Sequence, residues 1–146
     1  MTLRDKAILA AAATALFLNT SVFWAGVVEG RLFPVMGPLT VYDPQPLPPP
    51  SYQFVWKGYA DKLRDCRYIR TEWFLGKRGG QHVGVNMGYT DPPTVRLSGR
   101  LHWDGIRIAL SPDEVLGNSY AMVYHRCPGR WWDTATVFYD SEWKGE

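Results

Sequence analysis

The sequence predicts a mainly β protein, a small antiparallel β-sandwich or partly open barrel of about seven strands, preceded by one N-terminal transmembrane helix. Three observations predict it. Residues 7–28, AILAAAATALFLNTSVFWAGVV, carry no charge. Residues 52–146 break into short runs with apolar residues at alternate positions, separated by Gly-, Pro- and Asn-containing turn signals. Two cysteines, Cys66 and Cys127, permit one disulfide within that second part.

The 146 residues suffice for one domain plus an appendage. With 46% hydrophobic and 21% charged residues the composition is that of a globular protein, which excludes a disordered chain. The formal charge is +2 and the Lys and Arg residues are scattered. No basic run marks a phosphate-tracking surface, so nucleic acid is not expected as a partner.

As a helix, residues 7–28 would be about 33 Å long, enough for a hydrocarbon core of about 30 Å. Arg4 and Lys6 precede the run, Glu29 and Arg31 close it, and Phe23 and Trp24 sit near its far end, where aromatic rings favour the membrane interface. A cleaved signal peptide needs small residues at alternate positions before the cut. Here the candidate is Phe23-Trp24-Ala25, and the alanines at 10–13 come too early. The sequence therefore favours an uncleaved anchor, with secretion after cleavage as the alternative. A buried helix of a soluble domain would show a polar face, and none is present. The basic head, residues 1–6, should stay in the cytoplasm and everything after Val28 should lie outside it. The sequon Asn19-Thr20-Ser21 falls within the span, out of reach of glycosylation.

Residues 29–51 read as an extracytoplasmic stalk. Five prolines lie between Asp43 and Ser51, a density that favours a polyproline spacer of roughly 28 Å. Residues 32–41 are ambiguous between lying along the membrane and, over 39–42, adding an edge strand. From residue 52 the expected strands are 53–60, 66–75, 82–87, 94–103, 105–110, 120–127 and 134–139. Asp104-Gly105 has the composition of a two-residue hairpin turn. Residues 111–116, SPDEVL, fit one helical turn with a serine cap and proline at the first position.

Alternation nominates the core. Ile69, Trp73 and Leu75 share a face, as do Val95, Leu97 and Leu101. Ile106, Ile108 and Leu110 form a third set, Ala121 and Val123 a fourth, and Ala135, Val137 and Tyr139 a fifth. A domain this small has a thin stability margin. A Cys66–Cys127 bond would add about 4 kcal/mol by loop entropy, provided the compartment is oxidising; free buried thiols are the alternative. The immunoglobulin pattern is absent, because Trp73 follows Cys66 too closely and Tyr124 is displaced from its expected place before Cys127.

The stretch YHRCPGRWWDTATVFYD, residues 124–140, concentrates the candidate site residues. One reading is a stapled hairpin whose tryptophans close the end of the core. The functional reading is a binding platform of Trp131 and Trp132 beside Arg126 and Arg130, suited to sugar rings, partner side chains or an anionic group. His82, His102 and His125 lack metal-ligand spacing, so no metal and no cofactor are expected. Glu72, Asp104, Asp133, His102 and His125 include no pair whose spacing marks a catalytic site. No nucleophile elbow, P-loop or zinc-protease motif occurs, so no catalytic residue is assigned and an enzyme is not expected. Arg64, Arg67 and Arg70 interleave with Asp61, Asp65 and Glu72, as on a solvated strand face.

DCRYIRTEWFLG and YHRCPGRWWDTATVFY together resemble small uncharacterised membrane-anchored proteins encoded in tailed bacteriophages and prophages. The counterparts are Cys66, Trp73, His125, Arg126, Cys127, Trp132, Thr134 and Phe138, and the two stretches cover under a third of the chain. The resemblance implies a small accessory protein without an assignable activity. With the anchor, it leads to a single-pass protein of the bacterial inner membrane, its domain periplasmic and engaging an envelope protein. A glycan-binding module of the cell wall is the first alternative and an envelope hydrolase the second.

Overall fold

The uncharged run and its flanks form one continuous helix, α1 (Leu3–Leu32). The computed structural model describes residues 2–91 and 96–143. Thr2 and Asp5 start α1 with a reciprocal capping box, the Thr2 amide donating to Asp5 Oδ2 at 2.7 Å. Inside the run, the side chains of Thr14, Asn19, Thr20 and Ser21 donate to the carbonyls of Ala10, Ala15, Leu16 and Phe17. Each polar side chain thus finds a partner one turn back, which lowers the cost of placing it in an apolar helix. No part of an 18-residue apolar window of α1 is buried within the protein.

The remainder is a sandwich of two antiparallel four-stranded sheets. The strands are β1 (Thr40–Pro46), β2 (Phe54–Lys62), β3 (Arg67–Gly76), β4 (His82–Val85), β5 (Met87–Tyr89), β6 (Gly99–Ile108), β7 (Ser119–Arg126) and β8 (Asp133–Asp140). One sheet has the order β1-β2-β6-β5 and the other β4-β3-β7-β8. Trp56, Trp73, Ile106, Ile108, Val123 and Phe138 fill the space between them, all nearly inaccessible to water. A short helix, α2 (Pro112–Gly117), plugs one end with the fully buried Val115 and carries the expected Ser111 cap, paired with Glu114 in a capping box. The Val115 carbonyl accepts from Ser119 Oγ at 2.8 Å and from the Tyr139 hydroxyl at 3.0 Å.

Cys66 and Cys127 are bonded, with their Cα atoms 4.2 Å apart. Arg67 pairs with Arg126 in the β3–β7 ladder, so the bridge continues that ladder by one step. With the fully buried Val35 it forms a small cluster separate from the main core.

Several expectations are corrected. Asp104-Gly105 is not a hairpin turn, since β6 runs straight through it. Trp56 pairs with Ile106 and Gly58 with Trp103, so two residues of β6 oppose Lys57 alone, a β-bulge. Glycine is required there because a side chain at 105 would overlap Thr90. The expected strand 82–87 is two strands, because the chain crosses between the sheets at Asn86, whose carbonyl accepts from the Ala109 amide at 3.0 Å.

Residues 35–46 are not a detached spacer. Met36 bridges to Lys62, the Leu63 amide donates to Val35 O at 2.8 Å, and the Leu39 amide donates to Phe138 O at 2.6 Å, so this segment ties β2 to the edge of β8. The proline-rich stretch then enters β1, an outer strand. Its register breaks at Asp43 and Pro44, where Asp43 adopts φ 55° and its carboxylate accepts from Lys57 at 2.6 Å. An edge position accommodates prolines because no second ladder demands their missing amides. In the core, Leu97 is exposed rather than buried. A bulge at Phe138 makes that residue and Tyr139 both face inward while Val137 does not. Val95, the start of the expected 94–103 strand and residues 144–146 lie outside the described residues.

Candidate functional site

Two places gather chemistry-bearing residues. The first is the junction of α1 with β8. Gly26 and Gly30, one turn apart, are buried, and their Cα atoms lie so close to the carbonyl oxygens of Asp133 and Ala135 that no side chain would fit at either position. The last turns of α1 therefore cover the free edge of β8, which would otherwise present unpaired backbone groups. Between the two glycines in sequence stands Glu29, its side chain 11% exposed. Its carboxylate accepts from Trp132 Nε1 at 2.7 Å, Thr134 Oγ1 at 3.2 Å and Arg64 at 2.9 Å, with Arg130 Nε at 3.6 Å. Arg64 also donates to Phe33 O at 2.8 Å, at the end of the helix where the macrodipole favours a cation.

This arrangement answers for most of the RWWDT crowd. Trp132 is a clamp on α1, with the Arg130 guanidinium 5.4 Å from its ring centre. Arg126 is bound at 2.7 Å to Asp133, its partner across the β7–β8 ladder. Trp131 projects outward, 66% exposed. The two indoles meet edge-on at 69°, so they do not offer one flat two-ring platform. Trp131 and Trp132 instead wall a groove with Leu18, Val22 and Phe23 of α1. Arg64, expected on a solvated strand face, is the junction residue that sequence reasoning missed. The Gly26-x-x-x-Gly30 spacing, a signature of close helix packing, was the signal for the rest.

The second place is a cavity of about 260 Å³ between the sheets at the disulfide end. It is lined by an unbroken series of rings. Phe138 meets Trp103 at 5.8 Å, Trp103 meets Tyr89 at 6.3 Å, Tyr89 meets Tyr68 at 6.3 Å and Tyr68 meets His125 at 6.0 Å. Two ionisable groups share this lining. Lys62, 6% exposed, continues the inward phase of Trp56, Gly58 and Ala60 along β2. His125, 3% exposed, continues that of Ala121 and Val123 along β7.

The Lys62 ammonium donates to Arg96 O and is bound to no carboxylate among the described residues. Burial pulls its pKa down, with Asp65 opposing from a distance. His125 Nδ1 is buried and has no hydrogen-bond partner. Burial first, and then the Lys62 charge, depress the imidazole to about 4. Tyr89 keeps its hydroxyl on Thr71 at 3.0 Å, and burial raises its pKa. Neither Lys62 nor His125 was nominated for such a cavity by sequence, although their place in the alternation, one inward step beyond the apolar set, carried the information.

His82 packs on Phe74 and Tyr120 at the surface and His102 lies against Tyr59, so the three histidines sit apart. Among the described residues no three His, Cys, Asp or Glu side chains form a cluster able to hold a metal ion. Compared with known proteins, the chain matches no family model, no curated protein and no solved structure.

Proposed function

We propose that α1 holds this protein in a bacterial envelope membrane as a single-pass anchor, and that the disulfide-tied sandwich stands outside the cytoplasm to engage a protein partner. One observation carries the reading: the apolar part of α1 stays largely exposed while its last turns are locked to β8 through Gly26, Glu29 and Gly30. An apolar helix surface of this size needs a lipid environment. The Cys66–Cys127 bond fits an oxidising compartment.

The lock has a geometric corollary. The domain sits directly on the membrane instead of swinging on a stalk. Phe23 and Trp24 are exposed on α1, and Trp131 reaches the same level of the helix, so the three rings form an interfacial belt. The partner-facing surface is the outer face of the β4-β3-β7-β8 sheet. There Phe74 stacks on Tyr120 at 4.9 Å beside Met122, Tyr124 and Val137, in a groove that continues onto Val27 of α1. A partner embedded in the same membrane would meet both the helix and this face.

Photo-crosslinking residues placed at Met122 should trap one discrete protein adduct in membranes, and recovery of monomer alone would refute the partner. Fractionation with thiol labelling tests the location; a soluble cytoplasmic protein with reduced cysteines would overturn the reading. A role as a phage accessory protein, implied by the resemblance, predicts a gene lying among phage lysis or tail genes.

A further inference from the structure

We propose that the inter-sheet cavity is a binding site for a small monoanionic ligand with a flat apolar body, an aromatic carboxylate. The carboxylate would sit on the Lys62 ammonium and His125 Nδ1, with the body between Tyr68, Tyr89, Trp103 and Phe138. Four observations carry this. The space is about 260 Å³, small for a ligand pocket and too small for a peptide. Its polar lining offers unspent donors beside the Tyr68 and Tyr89 hydroxyls. Lys62 spends one ammonium proton on Arg96 O, leaving two, and His125 Nδ1 is an orphan that donates as the Nδ1–H tautomer.

Third, a buried lysine unpaired with a carboxylate is costly, and an apolar residue at that inward position of β2 would pack without the cost. A bound anion removes it. Fourth, the walls are rings in mutual contact, which match the face or edge of a planar body better than a flexible chain. The single buried ammonium suits a monoanion. Arg67 and Arg96 stand at the lining as further positive groups, the Arg96 guanidinium 5.7 Å from the Trp103 ring centre. Asp65, the carboxylate that opposes the burial of Lys62, is engaged by the Ser98 amide.

The test uses the full chain in detergent with cinnamate as probe and its neutral twin cinnamamide as control. Binding is read by tryptophan fluorescence and by the His125 ring signals in nitrogen-edited NMR. The expected result is saturable binding of cinnamate, at least about tenfold tighter than cinnamamide, with the His125 resonances shifting. Lys62→Met, an inward apolar substitution of similar length that should leave the fold intact or firmer, should weaken cinnamate binding at least about tenfold and leave cinnamamide unaffected. Equal affinity for the two twins, unchanged cinnamate binding by Lys62→Met, or no saturable binding of cinnamate at millimolar concentration would each overturn the proposal.

Discussion

In an isolated helix, Gly30→Ala should stabilise by about 0.8–1 kcal/mol, the propensity difference between the two residues. In this protein the sign should reverse. A methyl group at position 30 would overlap the Ala135 carbonyl oxygen, and removing the overlap requires α1 to retreat from β8 by more than about 1 Å. Glu29 lies on the same turn. Its contacts to Trp132 at 2.7 Å and Arg64 at 2.9 Å would not survive that retreat with good geometry. Each hydrogen bond to a charged group is worth about 1.5–3 kcal/mol, and water entering the opened junction recovers part of it. Set against the propensity gain, the net loss should be about 1–3 kcal/mol, or a Tm lower by roughly 4–10 °C. The assay is thermal unfolding of the full chain in detergent followed by near-UV circular dichroism, with hydrogen exchange reporting on the β8 backbone. Glu29→Ala should produce a loss of similar size, and the double variant less than the sum, since one docking is lost once. A Tm that rises for Gly30→Ala by the propensity amount would show that α1 does not rest on β8, and the reasoning about the junction would fail with it.

Other consequences are open to measurement. Replacing Cys66 and Cys127 together by alanine should cost about 4 kcal/mol by loop entropy over a separation of 61 residues, with a Tm drop on the order of 10 °C; a Tm unmoved by the double change would remove the bond from the stability argument. His125 titrates in the folded protein near 4, below its unfolded value near 6.5, so its neutral form is the one the fold favours. Its contribution is therefore complete above about pH 6.5 and is lost as pH falls toward 4, by at most about 3 kcal/mol. Denaturant titrations of wild type and His125→Gln across that window should diverge, and parallel curves would contradict the assignment. Gly105→Ala should destabilise by about 1–3 kcal/mol through its clash with Thr90, and adding Thr90→Gly should restore the loss. Insensitivity to residue 90 would favour a turn at Asp104-Gly105 over the observed bulge.

Much of the sandwich was readable because alternation survives wherever a strand is regular. Trp73, Ile106, Ile108, Ala121 and Val123 were placed inward by period alone, and all are buried. The failures cluster where the period is interrupted. At Asp104-Gly105 and at Phe138 an extra residue flips the inward phase, and a bulge leaves no compositional mark distinct from a turn. The start of β1 matches the edge strand offered for residues 39–42, but proline density in residues 43–51 does not say whether the outer side of a strand needs donors, so its continuation to Pro46 was hidden. The junction escaped for another reason. Glu29 and Arg64 are 35 residues apart, and Glu29 and Trp132 are 103 apart, so only the folded chain brings them together. Lys62 was overlooked because a cation at the end of a strand is ordinarily solvated, and only its register shows that it points inward.

The placement of the disulfide beside Val35 matters once the protein is pulled. A pull on α1 would enter the domain first through its lock on β8 and then through the segment that follows it, where Val35 contacts the bridged cysteines. The polypeptide from Cys66 to Cys127 is shunted by a covalent link and cannot be drawn out, so β3, β4, β5, β6 and β7 are shielded from the load. Under traction the α1–β8 lock would yield first and then the peripheral seam of residues 35–39 along β8 and the end of β2, leaving an intact mechanical kernel able to re-form its attachments when the strain is released.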